Sequence, residues 1–134
     1  MKIGSLKIEG TENSAHFDFD TDKHIFSIVG VSKPENVSEF FTPVLHWLDH
    51  YYATTIKENI VHNLVVDVKL DYYNTASSKY LAGIFYKFKK WLKFIPNFKI
   101  NWYYDEYDDM MLEDGKDISA AVDIPMNYIA VESN

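Results

Sequence analysis

The chain has 134 residues, 47% of them hydrophobic and 16% aromatic, which is the composition of a globular domain and excludes a disordered one. Its formal net charge is −7, and all 13 basic residues are lysines. This argues against general nucleic-acid binding and removes the guanidinium fork that favours buried phosphate. There is no cysteine, hence no disulfide framework and no thiolate metal site.

The length predicts one domain over residues 1–134. No apolar run approaches the roughly 20 residues that span a bilayer. The start, Met1-Lys2-Ile3-Gly4, has no hydrophobic signal region. A cytoplasmic protein without membrane insertion is the expectation.

Residues 3–8, with Ile3, Leu6 and Ile8, predict an edge strand. Residues 16–30 predict a hairpin: Phe17 and Phe19 alternate with Asp18 and Asp20, Thr21-Asp22-Lys23 turns, and Ile25 to Val29 returns. Pro34 stops the pattern, and Asn36 or Ser38 is placed to cap the next element. Residues 36–53 have helical period, with Pro43 inside it.

Residues 60–73 predict a strand whose Leu64, Val66, Val68, Leu70 and Tyr72 share one face. Val65 suggests that both faces are covered near its start. Residues 76–95 predict a helix with the stripe Leu81, Ile84, Phe85, Phe88, Trp91, Leu92 and Ile95, closed by Pro96-Asn97. Residues 98–104 alternate as a strand. Residues 105–117 hold seven carboxylates and one lysine, and a third helix is expected over about 108–122. Met126 to Val131 follow Pro125 as a candidate last strand.

The order from residue 60 onward is βαβ logic, which implies parallel strands joined by right-handed crossovers. The N-terminal hairpin adds antiparallel strands. The fold class expected is α/β, a mixed sheet with a βαβαβα C-terminal part.

His46 and His50 lie four apart on a helix, a spacing that zinc sites use. Asp49 stands where the inverted zincin pattern has Glu, and no third ligand is evident, so no metal is expected. The acidic block lacks the spacing of a calcium loop. It reads as a solvated helix N-terminus or as a docking surface for a basic partner. No nucleophile elbow, phosphate loop or dinucleotide fingerprint is present, so neither enzyme activity nor a cofactor is expected.

The stretch L-D-Y-Y-N-T-A-S-S-K-Y-L over residues 70–81 puts Thr75, Ser77 and Ser78 at a strand-to-helix junction. Thr75 or Ser77 could cap the helix. One cap suffices, and three hydroxyls exceed that need. A helix N-terminus also favours a phosphate, and a phosphate there could block docking while sparing the fold.

The chain resembles the SiaC family of bacterial regulatory phosphoproteins, which are similar in fold to STAS (anti-anti-sigma factor) domains. The resemblance rests on F-D-F-D, on P-E-N-V-S-E-F-F-T-P-V-L-H-W-L at 34–48, on Y-N-T-A-S-S-K-Y-L at 73–81 and on W-Y-Y-D-E-Y-D-D-M-M-L-E-D-G at 102–115. It implies a non-catalytic switch. A histidine-kinase-like protein kinase phosphorylates a threonine, and a PP2C-type phosphatase reverses this. The unphosphorylated form binds and activates a diguanylate cyclase, controlling cyclic-di-GMP and biofilm behaviour.

By motif, the implied acceptor is Thr75, with Ser77 and Ser78 as secondary candidates. Asn74, Ala76, Ser77, Ser78 and Lys79 are the implied docking surface. The alternatives are an anti-anti-sigma factor, or a small hydrolase or metal-binding protein using Thr75 or Ser77, or His46 and His50.

Overall fold

The computed structural model describes residues 3–132. In chain order they form β1 (Leu6–Ile8), β2 (His16–Asp20), β3 (Ile25–Ser32), α1 (Val37–Thr54), β4 (Asn63–Tyr73), α2 (Thr75–Trp91), β5 (Asn97–Asp105), α3 (Asp109–Val122) and β6 (Asn127–Val131). A short 3-10 turn, Ile56–Glu58, follows α1. The strands make one sheet in sequence order, antiparallel from β1 to β3 and parallel from β3 to β6. The α/β class and the N-terminal hairpin are as the periodicity predicts, and the terminal segment is a sixth strand.

Three crossovers of one hand, each joining adjacent parallel strands, put all three helices on the same side of the sheet. There α1 packs beside α2, and α2 beside α3. Phe17, Phe19, Phe26, Ile28, Leu64, Val66, Val68, Ile100 and Trp102 point into this layer and are buried. Their alternates, including Asp67 and Asn101, face away. This corrects the expectation for Val65: it lies half-buried on the uncovered face. Strands there are joined through side chains. Asn101 Nδ2 donates to Asp67 Oδ1 at 2.9 Å, and Asn127 Nδ2 donates to Asn101 Oδ1 at 3.1 Å.

Two further expectations change. The strand register shifts between Gly30 and Val31, so Gly30 pairs with Leu70 but Val31 with Tyr72. The extra residue, Asp71, reverses the side-chain alternation of β4. Tyr72 is therefore 52% exposed rather than part of the core face, and Tyr73 turns inward to meet Trp102, ring centroids 6.5 Å apart. Gly30 has φ +111° at this irregularity, a conformation that side-chain-bearing residues rarely adopt.

The second correction concerns α2, which ends at Trp91 rather than 95. The Phe94 and Ile95 N–H groups both bond to the Trp91 carbonyl, a turn that drops Ile95 into the core ahead of Pro96. By contrast Pro43 leaves α1 uninterrupted, and Asn36 caps it by accepting from Glu39 N at 3.0 Å.

Candidate functional site at the β4–α2 junction

The junction is held by one asparagine. The residue after β4, Asn74, takes extended backbone angles, and its side chain accepts from Ser77 N at 2.9 Å. Its own N–H bonds to Ser32 O at 3.0 Å, which pins the helix start to the end of β3. Asn74 is thus the N-cap, where the sequence suggests Thr75 or Ser77. Asparagine competes well for this position because its short amide oxygen reaches the third helical N–H.

The three hydroxyls then separate. Ser77 is fully buried. Its hydroxyl donates to Ser32 O at 3.1 Å and accepts from Ser32 Oγ at 2.8 Å. The first helical turn is thereby bolted to β3, and Ser77 drops out of the exposed surface that the motif implies. Ser78 is half-buried, and its hydroxyl donates to Thr75 O at 2.7 Å. Thr75, the first helical residue, is exposed, and among the described residues its hydroxyl has no hydrogen-bond partner. Ala76 and Lys79 are exposed beside it.

A shallow groove of about 430 Å³ lies between the start of α2 and α3, lined by Tyr72, Tyr73, Thr75, Met110, Asp114 and Asp117 among others. The acidic block therefore reaches the junction. Asp108 caps α3 by accepting from Met111 N at 3.0 Å, so part of the block is spent on the helix start. The Asp114 carboxylate lies beside the Tyr73 hydroxyl in this groove. Burial, then the Asp114 carboxylate, then Asp117 hold that phenol protonated far above its ordinary range. Tyr73 thus presents a neutral hydroxyl, and the groove wall is anionic.

Buried pairing at the junction makes a direct prediction. Ser77→Ala leaves the Ser32 hydroxyl without its partner and is expected to destabilise the fold by about 1 kcal/mol. Adding Ser32→Ala to that variant is expected to cost less than the two single changes summed, because neither orphan remains. Urea unfolding of the four proteins measures this, and strict additivity would contradict it.

His46 and His50 are both exposed on α1. Among the described residues no group of three or more His, Asp or Glu converges as a metal site. The Ser77 hydroxyl pairs with Ser32, not with a histidine. Among the described residues no helix is long and apolar enough to cross a membrane.

Comparison with known proteins supplies the family. The crystal structure of apo-SiaC from Pseudomonas aeruginosa is 24% identical, covers 96% of this chain and 100% of that one, and superposes with a TM-score of 0.81. A chain from the crystal structure of the diguanylate cyclase SiaD in complex with its activator SiaC, also from Pseudomonas aeruginosa, is 25% identical. It covers 94% of this chain and 99% of that one, with a TM-score of 0.81. An uncharacterized protein of Pseudomonas aeruginosa (strain UCBPP-PA14) is 26% identical over 111 residues, 83% of this chain and 84% of that protein. A family model described as the SiaC family regulatory phosphoprotein matches residues 8–131. With nearly the whole chain matched, this protein belongs to the SiaC family of regulatory phosphoproteins.

Proposed function

We propose that the whole chain, residues 1–134, is one non-catalytic regulatory domain that switches partners through phosphorylation of Thr75. Unphosphorylated, it binds and activates a diguanylate cyclase, and so controls cyclic-di-GMP output. A histidine-kinase-like protein kinase adds the phosphate and a PP2C-type phosphatase removes it. The observation that carries the reading is the Thr75 hydroxyl: it is exposed and unpaired among the described residues, while the hydroxyls of Ser77 and Ser78 are committed to Ser32 and to the Thr75 carbonyl. The cyclase comes from likeness to SiaC, an activator of the diguanylate cyclase SiaD in the Pseudomonas complex.

The chemistry around Thr75 suits a reversible mark. A phosphate brings a charge of about −1.5 to −2 at pH 7. The free N–H groups of the first turn attract it, and Lys79, four residues on, lies on the same helix face. Against this stand Asp114 and Asp117 across the groove. With no arginine in the chain, no bidentate clasp forms, so the phosphate stays presented to a phosphatase. In a docked complex the same group would be desolvated beside two carboxylates, which disfavours binding. Asn74, Ala76, Ser78 and Lys79 form the docking surface in this reading, and Ser77 supports it from within.

The test uses the purified protein, its genomic-neighbour kinase and ATP, with phosphosite mapping by mass spectrometry. Stoichiometric phosphate on Thr75 is expected, with none on Thr75→Ala. Full modification of Thr75→Ala would sink the assignment. Thr75→Glu is expected to weaken cyclase binding at least about ten-fold, while Thr75→Ala changes stability by no more than about 0.5 kcal/mol, since the residue is exposed.

A further inference from the structure

Helices cover one side of the sheet, and among the described residues none covers the other. Parallel strands such as β3 to β6 are ordinarily buried on both faces. A bare face on them is a surface in want of a partner.

The strand register lays this face out in rows. Lys7, Asp18, Ser27, Asp67, Asn101 and Asn127 run side by side from β1 to β6. Asn101 and Asn127 donate along that row, to Asp67 and to Asn101, which holds its side chains in place. One flanking row carries Asp20, Ile25, Val65 and Lys99. The other carries His16, Val29, Lys69 and Tyr103. Ile25 is 41% exposed and Val29 39%. In these rows Asp18, Asp20 and Asp67 are matched in number by Lys7, Lys69 and Lys99, so the face is neutral on a chain of net charge −7. Two copies of this chain repel each other in general, and here they can approach.

We infer that this face packs against the same face of a second copy, about a two-fold axis that runs along the strands between β3 and β4. Two-fold pairs are the commonest homo-oligomers, and stacked sheets keep their strands within about 30° of alignment. The axis lays β1 on β6, β2 on β5 and β3 on β4, and each row on itself. Asp20 then opposes Lys99, Ile25 opposes Val65, Asp18 opposes the Asn101 amide, and Ser27 opposes Asp67. Val29 lies over the Lys69 stem, and His16 over Tyr103. No two like charges meet. Six strands at ~4.8 Å spacing and five residues at ~3.3 Å give roughly 500 Å² per copy. The pair buries about 1,000 Å², the lower bound for a specific interface, so the dimer is a reversible one. Thr75 starts α2 on the opposite side of the sheet, and the dimer therefore presents two such junctions at once.

Sedimentation velocity and light scattering over a concentration series test this. The purified chain is expected to rise from the mass of one chain towards twice that mass. Ile25→Asp changes an exposed position and is expected to weaken association at least about ten-fold, as is Lys99→Asp, which sets two carboxylates against each other. Asp20→Lys opposes two lysines and is expected to do the same. Asp20 also accepts from Asp22 N and Lys23 N in its turn, so thermal melts must show that this variant is folded. The decisive sample is an equimolar mixture of the Asp20→Lys and Lys99→Asp proteins. In the mixed pair every opposition again joins one cation to one carboxylate, and association is expected to recover; misfolding cannot produce that result. A single-chain mass at every concentration, undiminished association of Ile25→Asp, or no recovery in the mixture would each overturn the assignment. No kinase, cyclase or phosphate enters this experiment, so its outcome is separate from that of the Thr75 test.

Discussion

Trp102→Ala is expected to cost about 3–5 kcal/mol of folding free energy, the largest effect of any change near the switch. Trp102 is fully buried on β5. Its ring meets Phe85 of α2 at 6.1 Å and Tyr73 at 6.5 Å, and its indole N–H donates to Met111 O of α3 at 2.9 Å. One side chain thus joins β5, both flanking helices and the residue just before the Asn74 cap. Truncation removes the transfer energy of a large ring, opens a cavity that three elements cannot all close, and deletes the indole's hydrogen bond to the Met111 carbonyl in the first turn of α3. Urea unfolding monitored by far-UV circular dichroism measures the loss. A cost under about 1.5 kcal/mol would show that the site collapses freely, and would contradict its role as the anchor of α3. The same variant is expected to lose selectivity for Thr75 in the kinase assay, because the groove beside Thr75 depends on where α3 lies.

Gly115→Ala is expected to destabilise by about 2–3 kcal/mol, against the sign that helix propensity alone dictates. In an exposed helix interior, alanine is better than glycine by about 1 kcal/mol. Gly115 lies within α3, but a Cβ there would fall 2.6 Å from Trp102 Nε1 and 2.7 Å from Cδ1. Those atoms belong to a buried ring fixed by its own hydrogen bond, so they cannot swing aside. Helix α3 must instead move away from β5, which strains the Tyr128 hydroxyl contact to the Gly115 carbonyl at 3.5 Å. Gly83 in α2 is the matched control. A Cβ there meets nothing within 4 Å, and Gly83→Ala is expected to stabilise by about 0.5–1 kcal/mol. Thermal melts of the two variants should move in opposite directions. A shift of the same sign in both would mean that the close approach to Trp102 is relieved at no cost.

Much of the architecture was legible because its signals are local. The period-two runs of β2, β3 and β5 and the three-four stripes of α1 and α2 each declare one buried face. Pro34 and Pro96 punctuate them, and Asn36 caps α1 as its spacing suggests. The end of α2 was less legible. Leu92 and Ile95 continue the apolar stripe, but Ile95 reaches the core from a turn. An apolar period counts burial and does not distinguish a helix from the turn that follows it.

The junction was legible as a place and not as a set of roles. Asn74, Thr75, Ser77 and Ser78 are all competent helix-cap residues by type. Which one caps depends on backbone angles at the end of β4, and these depend on pairing with β3. The skipped residue at Asp71 is likewise invisible in the alternation of Leu64, Val66, Val68, Leu70 and Tyr72. It exists because Gly30 and Val31 shift register across the strand pair. That shift turns Tyr73 inward, exposes Tyr72 and brings Asn74 under the Ser32 carbonyl.

By itself, then, the sequence determined the element order, the buried faces of β2, β5, α1 and most of α2, and the location of three hydroxyls at one helix start. These follow from spacing within a few residues along the chain. The tertiary structure alone decided that Ser77 is spent on Ser32, forty-five positions away, and that Asp114 and Asp117 face Thr75 across a groove. It also decided that Gly115 must stay bare against Trp102. Each of these depends on distances between elements, which the packing of helices onto the sheet sets and which no local pattern encodes.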